Sequence, residues 1–286
     1  VVGLGDVLNY KMRYLYGDWY DILNTTFSDN KYRDYLRPNE TTDELFYFSD
    51  GMNKSLEEVN TLGVCHEVLG IDCYNFRELA NDGFKPKFVL DIGGHIGTAS
   101  LLMNKIWPDC RILSVESNPY TYAVNKLNSV KFGGWEIMNW TMIGFHEYDK
   151  YGNFDNITIR DSCEFETMVR GGYHDETVAP GISVKEFLTR YDVPPKIDLV
   201  KIDVEGSEAM IISEMKLLGL LSNIDYIIGE WHYSWVRKHI QRELSDTHIF
   251  TSETEGEFNH FNAVHKRIYK LKKGLSNIGN QETIKL

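Results

Sequence analysis

From Phe88 onward, short apolar runs alternate with amphipathic stretches, whereas the first 60 residues hold no sustained period. Phe88–Ile92 (FVLDI) is a brief apolar run ending in a glycine turn, which predicts a strand buried on both faces. A helix is expected over Ile96–Ile106, a strand over Arg111–Val115, and a helix over Pro119–Val130 with Pro in its first turn. Trp135–Ile143 is read as a third strand. Helices follow over Ser183–Tyr191, Ser207–Leu218 (stopped at Gly219) and Ser234–Leu244, interleaved with strands at Ile197–Ile202 and Ile224–Gly229. Strand and helix alternating at this spacing wind a mainly parallel sheet with helices on both faces. The last two strands, near Thr247–Thr251 and Phe261–Tyr269, are joined by a polar loop. That ending predicts an antiparallel hairpin at one edge. The expected fold is therefore α/β, a doubly wound, mainly parallel sheet of seven strands.

Around this core the pattern changes. Residues 1–60 carry seven of the 17 tyrosines together with Trp19, and are read as an aromatic-rich N-terminal extension of short helices and loops. Residues 61–84 read as a helical lead-in, which opens a second unit over 61–286. The polar stretch 144–180 is long enough to be an insertion with its own hairpin.

Composition narrows the class. Hydrophobic residues make up 42% and charged residues 25% of the 286 positions, the balance of an ordinary globular protein, and no apolar run approaches the roughly 20 residues of a membrane helix. A formal charge of −12 argues against a protein that tracks nucleic-acid phosphates. The one basic cluster, Lys266–Lys273 (KRIYKLKK), is read as the solvated end of the last strand. Cys65, Cys73, Cys110 and Cys163 form no CxxC pair, so a zinc knuckle or redox motif is not expected and a reducing, cytoplasmic setting is. Val1–Tyr20 lacks the pattern of a secretory signal, and the triplets beginning at Asn24, Asn39 and Asn53 are read as chance sequons. Because the chain starts at Val1 rather than Met, it is expected to be a processed product or a fragment of a larger parent.

The chemistry begins where the first strand ends, in Asp91-Ile-Gly-Gly-His-Ile-Gly97. Parallel sheets bind ligands beyond the carboxyl ends of their strands, and glycines let the backbone approach a ligand there. The spacing fails the dinucleotide pattern G-x-G-x-x-G, because counting from Gly93 puts His95 at the second glycine and Thr98 at the third. A carboxylate at Asp91 would repel a pyrophosphate and attract a ligand carrying ammonium and sulfonium charges, as S-adenosylmethionine does. Glu116, just past the second strand, is placed to accept hydrogen bonds from ribose hydroxyls, although alone it also suits a helix N-terminus. On this reading Asp91 and Glu116 face the ligand, and their replacement by alanine spares the fold.

A second cluster closes the fourth and fifth strands, in Lys201-Ile-Asp-Val-Glu-Gly-Ser-Glu208 and Gly229-Glu-Trp-His-Tyr233. Asp203 at the strand end is read as functional, Glu205 and Glu208 as charges favouring a helix N-terminus. The pieces VLDIGGHIGTAS (89–100), VESNPYTYAVNKLN (115–128), Met142-Ile-Gly144, SVKEFL (183–188), IDLVKIDVEGSE (197–208) and GEWH (229–232) together resemble the FkbM-type methyltransferases. The resemblance implies a class I, Rossmann-like methyltransferase fold, S-adenosylmethionine as donor, and O-methylation of sugars or other small molecules. By position it implies a cofactor site lined by Asp91, Gly93, Gly94, His95, Gly97, Glu116, Ser117, Asn118 and Asp203, with Met142 or Ile143 near the adenine. His95 stands where the family usually has Asn, and Lys185-Glu186 where it has Leu-Asp.

A hydroxyl acceptor must lose its proton as the new bond forms. His232 is the first candidate base, oriented by Glu230, and His95 the second. A different expectation has Asp203 and Glu230 jointly holding a divalent cation that binds the acceptor. The expected partner is a small-molecule or glycan acceptor, with neither nucleic acid nor membrane. A homo-oligomer is the alternative to a larger parent chain. The competing functional class is a methyltransferase-like binding or assembly domain.

Overall fold

The computed structural model describes residues 64, 66–143, 157–160, 176–204, 206–253 and 259–273. The expectations for the N-terminal extension and its sequons, Cys65, Cys163, Glu205 and most of the insertion lie outside the described residues.

In chain order the strands are β1 (Phe88–Ile92), β2 (Arg111–Glu116), β3 (Trp135–Asn139), β4 (Thr141–Ile143), β5 (Ile157–Arg160), β6 (Glu176–Ala179), β7 (Gly181–Ser183), β8 (Ile197–Ile202), β9 (Ile224–Glu230), β10 (His248–Glu253) and β11 (His260–His265). The α-helices are α1 (Phe76–Asn81), α2 (Thr98–Ile106), α3 (Pro119–Phe132), α4 (Val184–Arg190), α5 (Glu208–Leu217) and α6 (Ser234–Leu244), preceded by a π-helix at His66–Ile71. Seven strands form one sheet in the order β10-β11-β9-β8-β1-β2-β3. The last five of that order pair in parallel, while β11 runs antiparallel to both β9 and β10. The sheet is thus the doubly wound, mainly parallel one that the alternation predicts, with the hairpin at its edge. In the insertion, β5 and β6 pair antiparallel.

Alternation along each strand feeds two cores. Val89, Ile112, Leu199 and Ile228 pack with Leu102 and Met103 of α2 and Val124 of α3. Their neighbours Leu90, Leu113, Val200 and Ile227 pack on the other face with Phe187 of α4, Ile211 of α5 and Ile240 of α6. Burying each such side chain contributes about 1.5–3 kcal/mol, so the two faces together hold the sheet between its helix layers.

Two elements differ from expectation. The sequence reads as one strand from Trp135 to Ile143, yet pairing with β2 ends at Asn139. There the Asn139 amide donates to the Glu116 and Ser117 carbonyls, each at 2.9 Å, which holds the chain at the end of β2. The Thr141 N–H then donates to Pro180, and β4 pairs in parallel with β7 instead. The second difference is at 266–273, which is helix rather than strand. Ile268 and Tyr269 pack against the core from it, and Lys272 reaches Asp82 at 3.0 Å.

Candidate active site

β1 lies between β2 and β8, so the winding reverses at its carboxyl end, where a crevice for ligands opens. The glycine turn occupies this point. Gly93 and Gly94 both donate their N–H to the Val115 carbonyl, at 2.9 and 2.8 Å. Gly93 has φ +83°, and a Cβ there would fall 1.6 Å from the Asp203 carbonyl oxygen, so only glycine lets β1 and β8 close together at this level. Two asparagines of α3 lace the turn: Asn125 donates to the Gly94 and His95 carbonyls, and Asn128 to that of Ile96. Both amides are fully buried. Sequence reasoning passed over them, although two asparagines three apart on the inner face of a helix demand partners.

Asp91 does not face the open side of the turn. It is fully buried, accepts hydrogen bonds from Ser100 at 2.6 Å and Ser114 at 3.2 Å, and lies 3.4 Å from the Lys201 ammonium. Lys201, itself 3% exposed, donates to the Gly93 carbonyl at 2.6 Å and reaches Asp203 at 3.8 Å. Burial opposes its charge, but Asp91, Asp203 and Glu116 more than compensate and raise its pKa. Asp91 is expected from the sequence to face the ligand; in the structure its carboxylate is buried and balances the Lys201 cation beneath the turn.

Glu116 lies at the crevice, its Oε2 accepting the His95 N–H and its Oε1 the Asn118 N–H, both at 2.8 Å. Burial pushes its pKa up to about 7 despite those two bonds. His95 adopts φ +46°, and burial, with Lys201 nearby, lowers its pKa to about 4. So weak a base is poorly matched to removing a hydroxyl proton. Ser117 and Asn118 continue the turn after β2, whereas Met142 and Ile143 are buried on β4, 4% and 5% exposed.

The second cluster converges on His232. Its Nδ1 lies 3.0 Å from Glu208 Oε1, and its Nε2 lies 3.7 Å from Asp203 Oδ1. Glu208 is fully buried and also accepts the Val204 and Gly206 N–H groups, so it joins the β8–α5 turn to the histidine. Asp203 accepts the Tyr74 hydroxyl at 2.7 Å. Burial would raise the Asp203 pKa, but Lys201, His232 and the Tyr74 bond hold it below the usual carboxylate range. Two assignments change here. Glu230 turns toward His260, 3.7 Å away, leaving Glu208 as the orienting carboxylate. Among the described residues, the groups of three or more side chains whose ligand atoms lie within 4.8 Å of one another are Asp203/Glu208/His232 and Glu67/Cys73/His260, and Glu230 is in neither.

These residues fit a ribose-bearing cationic ligand. Glu116 is a desolvated carboxylate whose two oxygens each accept one backbone N–H and retain further lone pairs that a ribose diol can engage. Asp203 brings negative charge to the partly open side.

Fold and crevice define a class I methyltransferase. Residues 91–262 match the model of the methyltransferase FkbM domain, and the chain belongs to that family. It is 24% identical over 233 residues to the methyltransferase sdnD of Sordaria araneosa, covering 71% of this chain and 85% of that protein. Among solved structures, the N-terminal domain of human METTL16 in complex with SAH has a TM-score of 0.43 at 9% identity, covering 70% of each chain. Precorrin-6y C5,15-methyltransferase from Geobacter metallireducens GS-15 has a TM-score of 0.36 at 15% identity, covering 64% of this chain and 82% of that one. No helix among the described residues is long and apolar enough to cross a membrane.

Proposed function

We propose that this protein transfers the methyl group of S-adenosylmethionine to a hydroxyl oxygen of a sugar or other small molecule, with His232 as the general base. The observation that carries this reading is the pairing of His232 Nδ1 with the buried Glu208 carboxylate at 3.0 Å, beside the carboxyl ends of β8 and β9. A carboxylate accepts from Nδ1–H, which leaves Nε2 as the atom that takes a proton.

The donor, when bound, supplies a methyl group already activated by its sulfonium. Glu116 would hold the ribose, and the laced glycine turn would fix the height of the ligand above the sheet. Nε2 of His232 would take the acceptor's proton as the carbon–oxygen bond forms. The resulting imidazolium would lie between Glu208 and Asp203, both of which favour its charge. Tyr74 and Lys201 keep Asp203 in place for that role. The fitting acceptor is a diffusible hydroxyl compound rather than a nucleic acid, given the net charge of −12, and the fitting setting is the reducing cytoplasm. The test is methyl transfer from labelled S-adenosylmethionine to a panel of sugars and hydroxylated small molecules. The reading expects labelled methyl ethers with wild type and their loss with His232→Ala; label carried on nitrogen or carbon instead would overturn it.

A further inference from the structure

Beside the candidate active site, a carboxylate, a thiol and an imidazole that the transfer chemistry does not use meet at one point. We infer that Glu67, Cys73 and His260 form a binding site for a divalent cation of the zinc class, which clasps the segment ahead of β1 to the start of β11. The inference does not depend on the methyl-transfer reading.

The geometry is that of a ligand set. One ligand atom from each residue lies within 4.8 Å of the others, and His260 Nε2 is 3.3 Å from Glu67 Oε1. Tetrahedral zinc, with bonds of about 2.0–2.3 Å, sets its ligand atoms roughly 3.3–3.7 Å apart. Glu230 Oε2 lies 3.7 Å from the same imidazole nitrogen and adds negative charge on that side, outside the three-residue group. Sulfur together with imidazole selects a borderline or soft cation and disfavours magnesium or calcium.

The charge balance agrees: a carboxylate, an imidazole and a thiol that becomes a thiolate on binding together suit a divalent cation. The nearest buried ammonium, Lys201, already serves Asp91 and Asp203.

The backbone brings these residues together from distant parts of the chain. The π-helix His66–Ile71 ends so that the Cys73 N–H donates to the Glu67 carbonyl at 3.2 Å. His260 opens β11, where its ring meets Tyr74 edge-on at 4.9 Å. Three protein ligands, with water completing the tetrahedron, are enough to hold such a cation. By fixing Cys73 it would also fix Tyr74, the donor to Asp203.

The test uses the full 286-residue chain, stripped with chelator and titrated with cobalt(II), then with zinc. The inference predicts one cobalt per chain with a thiolate-to-cobalt charge-transfer band that zinc abolishes. Cys73→Ser and His260→Asn should each lose the band. His232→Asn should keep it, because the Asp203/Glu208/His232 group holds no sulfur. Zinc should also raise the melting temperature of wild type, by roughly 5–10 °C at a hundredfold excess over Kd, and leave Cys73→Ser unmoved. Folded wild type without the band, or a band that survives Cys73→Ser, would overturn the site.

Discussion

His232 Nδ1 lies 3.0 Å from Oε1 of Glu208, a carboxylate without solvent exposure, while its Nε2 faces Asp203 at 3.7 Å. One ring nitrogen is thereby committed, and the other is left to exchange a proton. His232→Ala is expected to lower kcat by roughly 10²–10⁴-fold with little change in S-adenosylmethionine affinity. Wild-type kcat should rise with pH through the histidine's titration, because only the neutral ring accepts a proton. Near-normal kcat in the variant would remove His232 from the chemistry.

Glu208 is a positioning residue, and its effect should differ from that of Glu230. Glu208→Gln can no longer fix which ring nitrogen carries the proton. A loss of kcat on the order of 10–100-fold is expected, with the pH profile displaced and KM for the donor nearly constant. Glu230→Gln should leave that profile in place, since Glu230 lies by His260. Steady-state kinetics of both variants across pH distinguish the two carboxylates.

The buried pair beneath the glycine turn predicts a stability effect. Asp91→Ala would remove the nearer of the two carboxylates paired with the buried Lys201 ammonium, leaving Asp203 at 3.8 Å and the Gly93 carbonyl at 2.6 Å. Breaking a buried ion pair from one side costs about 3–5 kcal/mol. Urea unfolding should therefore show a midpoint well below wild type. An unchanged midpoint would mean that Asp91 contributes through the ligand and not through the fold.

The strands and helices were legible because each carries one clear period and a clear boundary. Ser183 caps α4 by accepting the Glu186 N–H, Gly219 ends the segment after α5, and Ser234–Leu244 stands as read. What the period could not reveal was partner choice. The apolar-rich run Trp135–Ile143 reads as one strand whether Thr141 pairs with β2 or with β7, and the Asn139 side chain holds the chain at the end of β2. Lys266–Lys273 has helix-forming composition, but a short apolar–basic run is ambiguous between helix and strand. In the site, the places of Asp91, Glu116 and Asp203 at strand ends could be read directly. Their roles could not, because Asp91 owes its burial to Lys201, more than a hundred residues away, and Glu208 meets His232 only once β8 and β9 pair. Tyr74, Glu67 and His260 carry no motif at all and are assembled by the fold.

The central claim, that the crevice at the end of β1 binds S-adenosylmethionine through Glu116, is tested most directly by calorimetric titration of the folded chain across pH. Burial raises Glu116 to about 7, so below that pH its carboxyl is largely protonated in the free protein. Ribose hydroxyls donate to the ionised form, and binding therefore expels a proton. Affinity should strengthen as pH rises toward about 7 and level off above it, by at most about tenfold per pH unit. Glu116→Gln turns an amide NH₂ toward one of the two backbone N–H groups; it should bind more weakly and lose this pH dependence. A folded chain that takes up no S-adenosylmethionine, or a Glu116→Gln variant with wild-type affinity and pH profile, would contradict the account.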